Sequence, residues 1–414
     1  MKSCTRLLFV FVFFLVASCD KKKNEVPPSS SYFQIALDTP MVTGNKVLLK
    51  WSGIESRYIT SIRIERASDS EKSTQFQTIV RSPNDTQYTD TLTLTSYVTY
   101  RVVAQVTTSD GSKTVYSNSR VFARSDIDFL TFRIKDAICD KQTGRIYMTG
   151  TDGELGVYDI ATRKVLRKIE TGATITHLTM ATHNGRNELY LSRNDGWVFV
   201  YDPETLDKTD QLNVMIVPTS LVCNNGKIFV SSSSSVPSLV TYDRTSKALL
   251  FDTAYSFSGL SLLALPGTNT VLLGLSSFRY RMGFNADGVM TSARANNSAS
   301  FFAYAPFALL PGNTSVVCAN MGVILDTGFN YISTLPRGNV FLRSFDVDVA
   351  NSRLYCATSG KEVHVYNTGT FMQEKRINTA GFPIRAFYYN GTVYCISSEY
   401  DYYSSSENMF IERL

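Results

Sequence analysis

Tyr158-Asp159-Ile160-Ala161-Thr162 is the first copy of a short pattern that decides the fold of this 414-residue chain. In each copy an aromatic residue or leucine ends an apolar run, Asp or Asn follows, and a turn comes next. Five further copies begin at Tyr201, Tyr242, Phe284, Leu325 and Tyr366. The steps between first residues are 43, 41, 42, 41 and 41, and a fixed period of this size indicates a repeat protein.

A second marker, a short stretch with strand character, precedes each turn pattern and also occurs near the end of the chain. The seven copies are Arg145-Ile146-Tyr147, Glu188-Leu189-Tyr190, Lys227-Ile228-Phe229, Thr270-Val271-Leu272, Ser315-Val316-Val317, Arg353-Leu354-Tyr355 and Thr392-Val393-Tyr394. Residues 127–414 therefore divide into seven units of about 41 residues, and four short strands per unit predict a seven-bladed β-propeller. Asp and Asn hydrogen-bond their own backbone in tight turns, so their repetition predicts a structural role.

The last unit has three predicted strands, at residues 384–389, 392–397 and 408–413, and needs a fourth. Residues 129–133 alternate correctly, and we predict that they pair with 408–413 to close the ring and remove an exposed edge. The repeats resemble the YVTN and NHL-like propellers of extracytoplasmic proteins, over about two-thirds of the chain. They lack the tryptophan-aspartate signature of WD40 blades. The resemblance implies a fold and leaves the activity open.

Residues 32–124 show the alternation of short strands, for example in Val47, Leu49 and Trp51. Seven strands in about ninety residues predict a β-sandwich. Trp51, Leu94 with the stretch 100–104, and Tyr116-Ser117-Asn118-Ser119 resemble the core positions and last strand of a fibronectin type III domain. That resemblance implies a spacer or adhesion module, and Trp51 is expected in the core.

The first residues indicate export. Lys2 and Arg6 precede an apolar run at 7–17, which is too short for a comfortable membrane span and suits a signal peptide. Val16-Ala17-Ser18-Cys19 resembles a bacterial lipobox, which implies a signal peptide at 1–18 and lipidation of Cys19. The alternative is an ordinary signal peptide with an incidental cysteine. Residues 20–31 read as a flexible tether. A lipid anchor at Cys19 would hold the protein in the envelope of a Gram-negative-type bacterium, at the outer membrane, facing the periplasm or the surface.

Charge and composition exclude several functions. The formal net charge is +5, and removal of Lys2 and Arg6 leaves 39 basic against 36 acidic residues, which gives no reason to expect nucleic acid. Three histidines disfavour multi-histidine metal sites, and five cysteines after residue 19 lack CxxC spacing and suit small buried positions. No common catalytic or nucleotide-binding motif is present. We predict no cofactor, no metal and a monomer.

One constellation of charged residues is a candidate site. Alignment of the predicted inner strands on the downstream markers makes seven residues equivalent: Lys135, His177, Thr219, Ser261, Phe307, Arg343 and Arg385. Lys135, His177, Arg343 and Arg385 fall in adjacent blades and predict a positive arc at one end of the channel. Tyr400, Tyr402 and Tyr403 are expected on the same face. The alternative is that Arg343 and Arg385 pair with local acids such as Asp346.

Two classes of function remain from the sequence. The first is a binding or scaffold lipoprotein whose channel face takes a glycan, peptide or protein. The second is a hydrolase resembling propeller lactonases, in which His177 with Arg343 or Arg385 acts on an anionic, sugar-derived substrate. Such a hydrolase needs a general base or metal near the ring, and no acidic residue stands out for that role. The sequence therefore favours binding over catalysis.

Overall fold

The computed structural model describes residues 33–43, 46–68, 77–91, 97–123, 126–232, 237–253, 261–275, 278–295, 304–401 and 409–414. The predicted signal peptide, Cys19 and the tether lie outside the described residues. Within these ranges, no helix combines the length and the hydropathy needed to cross a membrane. The described secondary structure is strand, apart from a short 3₁₀ turn at Ser56–Tyr58.

The strands of the first domain form two antiparallel sheets. They are β1 (Ala36–Leu37), β2 (Met41–Thr43), β3 (Lys46–Ser52), β4 (Ile59–Ser68), β5 (Gln77–Arg81), β6 (Gln87–Asp90), β7 (Tyr97–Thr108), β8 (Gly111–Tyr116) and β9 (Arg120–Ala123). One sheet joins β1, β2 and β6 to β3, and the other has the order β5-β4-β7-β8 with β9 also on β7. Both sheets contribute to one core, in which Trp51 is 6% exposed.

Nine strands are described where the sequence pattern predicts seven. One extra division falls inside the predicted last strand, where residues 117–119 separate β8 from β9. Both strands pair with β7, and Ser117 bridges the gap: its Oγ accepts a hydrogen bond from the backbone N–H of Val102 at 2.8 Å. A side chain here replaces a backbone partner, so the strand breaks without leaving the sheet.

The rest of the chain forms seven four-stranded antiparallel sheets within the described residues, numbered here in chain order. Sheet 1 has β11 (Ile134–Asp140), β12 (Arg145–Gly150), β13 (Glu154–Asp159) and β14 (Lys164–Glu170). Sheet 2 has β15 (Ile175–His183), β16 (Arg186–Arg193), β17 (Trp197–Tyr201) and β18 (Lys208–Asn213). Sheet 3 has β19 (Pro218–Asn224), β20 (Lys227–Ser232), β21 (Leu239–Asp243) and β22 (Leu249–Asp252). Sheet 4 has β23 (Ser261–Leu265), β24 (Thr270–Leu275), β25 (Phe278–Phe284) and β26 (Met290–Ala295).

The remaining three sheets follow the same plan. Sheet 5 has β27 (Tyr304–Leu309), β28 (Ser315–Ala319), β29 (Val323–Asp326) and β30 (Tyr331–Thr334). Sheet 6 has β31 (Leu342–Asp348), β32 (Arg353–Thr358), β33 (Glu362–Asn367) and β34 (Gln373–Asn378). Sheet 7 has β35 (Phe382–Tyr389), β36 (Thr392–Ser398) and β37 (Met409–Arg413), and its fourth strand is β10 (Ile127–Leu130).

Sheet 7 combines the two ends of this region. Strand β10 pairs with β37, with Ile127 opposite Glu412 and Leu130 opposite Met409. The sequence pattern placed this strand at 129–133, so the predicted strand begins two residues and ends three residues too late. Phe132 lies outside the strand because its ring packs over Gly156 of sheet 1, where a Cβ would come within 2.6 Å of the ring.

The sheets are arranged in a ring. Each first strand, from β11 to β35, contacts the first strand of the next sheet, and β35 also contacts β11. The turn pattern is structural, as its chemistry suggests: Asp159 Oδ1 accepts from the N–H of Thr162 at 2.6 Å, and Asn367 Oδ1 accepts from that of Thr370 at 3.0 Å. The five cysteines in the described residues are unpaired thiols at buried or half-buried positions: Cys139, Cys223, Cys318, Cys356 and Cys395.

Candidate functional site

The first strands of the seven sheets enclose a central cavity of about 540 Å³. All seven strands contribute to its lining: β11, β15, β19, β23, β27, β31 and β35. The cavity is within the range of about 300–1,000 Å³ that small-molecule sites occupy. It is therefore the candidate functional site.

A repeated irregularity selects which side chains enter the cavity. Near the beginning of six of these strands, the pairing with the second strand shifts register, and one or two residues are skipped. An extra residue in one strand re-aims the side chains that follow it. The residue after each shift, together with Ser261 of β23, forms what we call the mouth ring: Asp136, His177, Ser220, Ser261, Phe307, Ser344 and Arg385. All seven line the cavity.

The mouth ring corrects the alignment made from the sequence. That alignment placed His177, Ser261, Phe307 and Arg385 correctly, but it took the skipped residue in sheets 1, 3 and 6. Lys135 lies on the register shift, and its Nζ donates to the carbonyl oxygen of Ile175 at 2.7 Å. Arg343 also lies on a shift and forms an ion pair with Asp401. Neither Lys135 nor Arg343 lines the cavity.

Arg385 is paired across the boundary between sheets 7 and 1. Its Nη2 and Nε donate to Asp136 Oδ1 at 2.7 and 3.0 Å, and the backbone N–H of Ala137 donates to the same oxygen at 2.8 Å. Burial would raise the pKa of Asp136, but Arg385 and His177 outweigh it, so this pKa lies below its usual value. Asp136 is therefore an ionised carboxylate in the mouth ring, and the sequence analysis did not identify it.

His177 stands beside this pair and is neutral. Burial lowers the pKa of its imidazole, and the positive charges of Arg385 and Lys135 act in the same direction. Asp136 and a hydrogen bond with the Leu221 backbone oppose the shift without reversing it. The predicted positive arc is thus largely compensated, because Arg385 has Asp136, Arg343 has Asp401, and His177 carries no charge at neutral pH.

The opposite side of the mouth ring is uncharged and rich in hydroxyl groups. Ser220 Oγ accepts a hydrogen bond from the backbone N–H of Leu262 at 3.1 Å. Ser344 Oγ accepts from the backbone N–H of Ala386 at 3.2 Å. These two bonds join neighbouring first strands. Phe307 adds an aromatic ring on this side, packed over Gly274, where a Cβ would come within 2.3 Å of it.

A second layer lies two residues further along the strands and is mainly apolar. Successive residues of a strand point to opposite faces, so residues two apart share a side. This layer consists of Ile138, Thr179, Val222, Leu263, Asp346 and Phe387. Asp346 is its one charged member, and it pairs with Lys141 at 2.8 Å rather than with Arg343 or Arg385. Burial raises the pKa of Asp346 against the opposing effects of Lys141 and of two backbone hydrogen bonds.

The predicted tyrosines follow β36 in the chain, and of the three only Tyr400 lies within the described residues. Tyr400 is 50% exposed, and its carbonyl oxygen accepts from Ser398 Oγ at 2.6 Å. Asp401, the partner of Arg343, is the next residue. Tyr402 and Tyr403 lie outside the described residues. Tyr400 is thus the chain neighbour of Asp401, which forms the ion pair with Arg343.

Sequence reasoning missed three members of the mouth ring, Asp136, Ser220 and Ser344, and with Asp136 it missed the partner of Arg385. Each missed residue directly follows the residue that the alignment chose, which was Lys135, Thr219 or Arg343. An alignment that ignores the register shift assigns the missed residue to the other side of the strand. Hairpin length also varies between first and second strands, since Asp136 pairs with Thr149 but His177 pairs with Ser192. Counting back from the marker cannot locate the shifts, and it is wrong by one residue in sheets 1, 3 and 6.

Comparisons with known proteins agree on the fold. No protein-family model matches the chain, and no curated protein matches it. Among solved structures, that of U3-55K is similar with a TM-score of 0.57 at 9% identity, covering 70% of this chain and 99% of its own. The crystal structure of RRP9 WD40 repeats gives 0.56 at 10% identity, with 70% and 98% covered. Raptor from Chaetomium thermophilum gives 0.54 at 12% identity, with 69% and 28% covered.

These similarities confirm the predicted class of fold, an all-β protein that contains a β-propeller. The solved neighbours include WD40 repeats, although this chain lacks the tryptophan-aspartate signature. At 9–12% identity the likeness concerns the fold alone, and 1377 solved chains share it. The chemistry of the site must therefore come from the side chains of this chain.

Proposed function

We propose that this protein is a lipid-anchored, extracytoplasmic binding or scaffold protein whose propeller takes its ligand at the channel mouth. The observation that carries the proposal is the mouth ring: seven strands converge on a cavity of about 540 Å³ with a charged pair, an imidazole, hydroxyl groups and an aromatic ring at its entrance. A cavity with a few convergent polar groups is the usual form of a ligand site. The WD40 fold of the neighbours supports a scaffold role.

The proposal includes finer assignments of the architecture. We take the seven sheets to be the complete set of blades, supported by the contact between β35 and β11 and by the pairing of β10 with β37. We take the first domain to be of the fibronectin type III kind, supported by two sheets on one core that contains Trp51. It would hold the propeller away from a membrane in which Cys19 carries the lipid.

A lactonase-like hydrolase has less support. That mechanism needs Arg343 or Arg385 to hold an anionic substrate, and both arginines pair with protein carboxylates, Asp401 and Asp136. In the part of the chain that the structure describes, no group of three or more His, Cys, Asp and Glu side chains could hold a metal ion. We therefore develop the binding function alone.

Anchoring is tested by Cys19→Ala, with Cys4→Ala as a matched control inside the predicted signal peptide. Wild type and Cys4→Ala are expected to incorporate labelled palmitate and to sediment with membranes. Cys19→Ala is expected to lose the label and the membrane association. A Cys19→Ala protein that still sediments with membranes and carries the label would refute the lipid anchor.

The channel site is tested by filling it. Ser261→Trp places an indole in the mouth ring, and Ser292→Trp makes the same change on the exposed outer strand β26 of the same sheet. Binding of a panel of neutral sugars, sugar acids and peptides is measured for both variants and wild type. Only Ser261→Trp is expected to lose binding. Equal binding by all three proteins would show that the channel mouth is not the ligand site.

A further inference from the structure

The mouth ring presents one open acceptor. Asp136 Oδ1 receives the hydrogen bonds from Arg385 Nη2, Arg385 Nε and Ala137 N, whereas Oδ2 receives none from the described residues. Oδ2 is also absent from the fully enclosed, unsatisfied atoms, so it faces the cavity. An ionised carboxylate oxygen accepts only, and the ligand atom that meets it must be a hydrogen-bond donor.

The serine side of the ring presents donors. Ser220 Oγ and Ser344 Oγ each accept a backbone N–H from the next sheet, and neither gives its own hydrogen to a described group. The Ser261 hydroxyl makes no hydrogen bond to a described side chain or backbone group, and only the backbone of Ser261 is paired, in the ladder with Gly274. A hydroxyl carries one donor and two acceptor lone pairs, so these serines can donate into the cavity while their oxygens remain engaged.

The charges of the ring cancel. Asp136 and Arg385 compensate each other at 2.7 Å, His177 is neutral, and the three serines and Phe307 carry no charge. Three further cations near these strands are engaged: Lys135 with the carbonyl of Ile175, Arg343 with Asp401, and Lys141 with Asp346 of the second layer. An anion at the mouth would meet the free oxygen of Asp136, and like charges at such distances repel.

We propose that the ligand of the channel mouth is an uncharged, hydroxyl-rich molecule of the size of a mono- or disaccharide, which donates to Asp136 Oδ2 and accepts from the serine hydroxyls. This inference rests on the proposed function, in which the channel mouth is the binding site. It narrows the ligand expected from the sequence, where the basic residues of the predicted arc were compatible with an anionic or a polar ligand. Phe307 supplies an apolar surface for the carbon-bound face of a sugar ring.

The test compares sugars that differ in charge but hardly in shape. The full-length protein in detergent is titrated calorimetrically with glucose, galactose, mannose, maltose, cellobiose and lactose, and with glucuronic, galacturonic and mannuronic acids. We expect at least one neutral sugar to bind at least tenfold more tightly than its uronic acid.

Asp136→Asn reverses the expected preference. The amide removes the negative charge and frees Arg385, so uronic acids should gain affinity and neutral sugars should lose about tenfold. Asp128→Asn is the matched control. Asp128 pairs with Arg163 at 2.7 Å between the same two sheets, sheets 7 and 1, and neither residue lines the cavity. This control is expected to bind as wild type does.

If Asp136→Asn does not fold, Ser261→Ala provides the test. Its folding is not expected to suffer, because the Ser261 hydroxyl has no hydrogen-bond partner among the described residues. The variant is expected to weaken the neutral sugar by three- to tenfold without changing the preference over the uronic acid. Uronic acids that bind wild type as tightly as the neutral sugars would overturn the inference. Binding by neither series would overturn it as well. The comparison of Ser261→Trp with Ser292→Trp on peptides then judges the proposed function separately.

Discussion

The mouth ring and the second layer of the channel hold similar ion pairs in different surroundings. At the mouth, Asp136 pairs with Arg385 at 2.7 Å, and in the second layer Asp346 pairs with Lys141 at 2.8 Å. Their side-chain exposures are close, 19% and 14%, yet the pKa of Asp136 is lowered and that of Asp346 is raised. Proximity to a cation therefore does not by itself decide in which direction the pKa of a carboxylate shifts in this channel.

The neighbours of each carboxylate explain the difference. Asp136 meets two nitrogens of one guanidinium and lies beside His177, so favourable interactions exceed the cost of burial. Asp346 meets a single ammonium, and the cost of its burial exceeds the opposing effects of Lys141 and of the backbone hydrogen bonds. A two-bond arginine contact fixes geometry and charge together, whereas lysine acts as a point charge. The mouth ring thus favours the ionised form of its carboxylate more strongly than the second layer does.

Removal of strand β10 should disrupt the mouth ring and the second layer together. Deletion of residues 127–130 leaves β37 with an unpaired edge in sheet 7, whose first strand carries Arg385 and donates the Tyr388 N–H to Asp346. Exposed edges promote aggregation. We expect an aggregating protein, or a loss of most of the stability, typically about 5–15 kcal/mol for a domain. Thermal unfolding and size-exclusion chromatography measure this. A monomer with the wild-type melting temperature would contradict the closing role of β10.

The two aspartates should differ in their contribution to stability. Asp136→Ala leaves Arg385 and the Ala137 N–H without their acceptor in a half-buried site, and we expect a loss of about 2–4 kcal/mol. Asp346→Ala lets Lys141, which is 39% exposed, return to water, so mainly the Tyr388 N–H loses its acceptor, at about 1–2 kcal/mol. Urea unfolding at pH 7 measures both. A larger loss of unfolding free energy for Asp346→Ala than for Asp136→Ala would contradict this account of the mouth ring and the second layer.

His177 should make the stability of the mouth ring depend on pH. No described histidine lines the second layer. The pKa of His177 is lowered in the folded protein, so protonation favours unfolding, and its contribution to stability is lost as the pH falls below the ordinary value of 6.5. His177→Gln should flatten the stability curve between pH 7 and 5.5, by at most about 1.4 kcal/mol per pH unit.

A second buried histidine provides the comparison for this measurement. Burial also lowers the pKa of His364, which contacts Glu362 and Tyr366, so His364→Gln should flatten the curve separately and additively. A His177→Gln protein that keeps the full wild-type slope would place the pH dependence elsewhere.

The repeats and the ion pair of the mouth ring differ in how far the sequence predicts them. Spacing predicted the propeller because Tyr158-Asp159 and its copies recur at the ends of third strands, where each turn is formed locally. The pair of Asp136 and Arg385 joins residues 249 positions apart, and it depends on a register shift beside Lys135 that no local pattern reports. Repeats thus reveal the scaffold, whereas side-chain pairing across sheets requires the three-dimensional structure.

The ion pair at the rim should contribute least. Arg343 pairs with Asp401, which is 54% exposed, and exposed pairs contribute about 0–1 kcal/mol because water and salt screen them. Arg343 Nη1 is enclosed without a hydrogen-bond partner among the described residues, so Arg343→Gln also removes an unsatisfied donor and offsets part of the lost pairing. A double-mutant cycle with Asp401→Asn in urea is expected to give a coupling below about 1 kcal/mol, and a cycle of Arg385→Gln with Asp136→Asn a clearly larger one. Equal couplings would mean that the mouth pair is screened as the rim pair is, and that the free oxygen of Asp136 does not stand in a protected site.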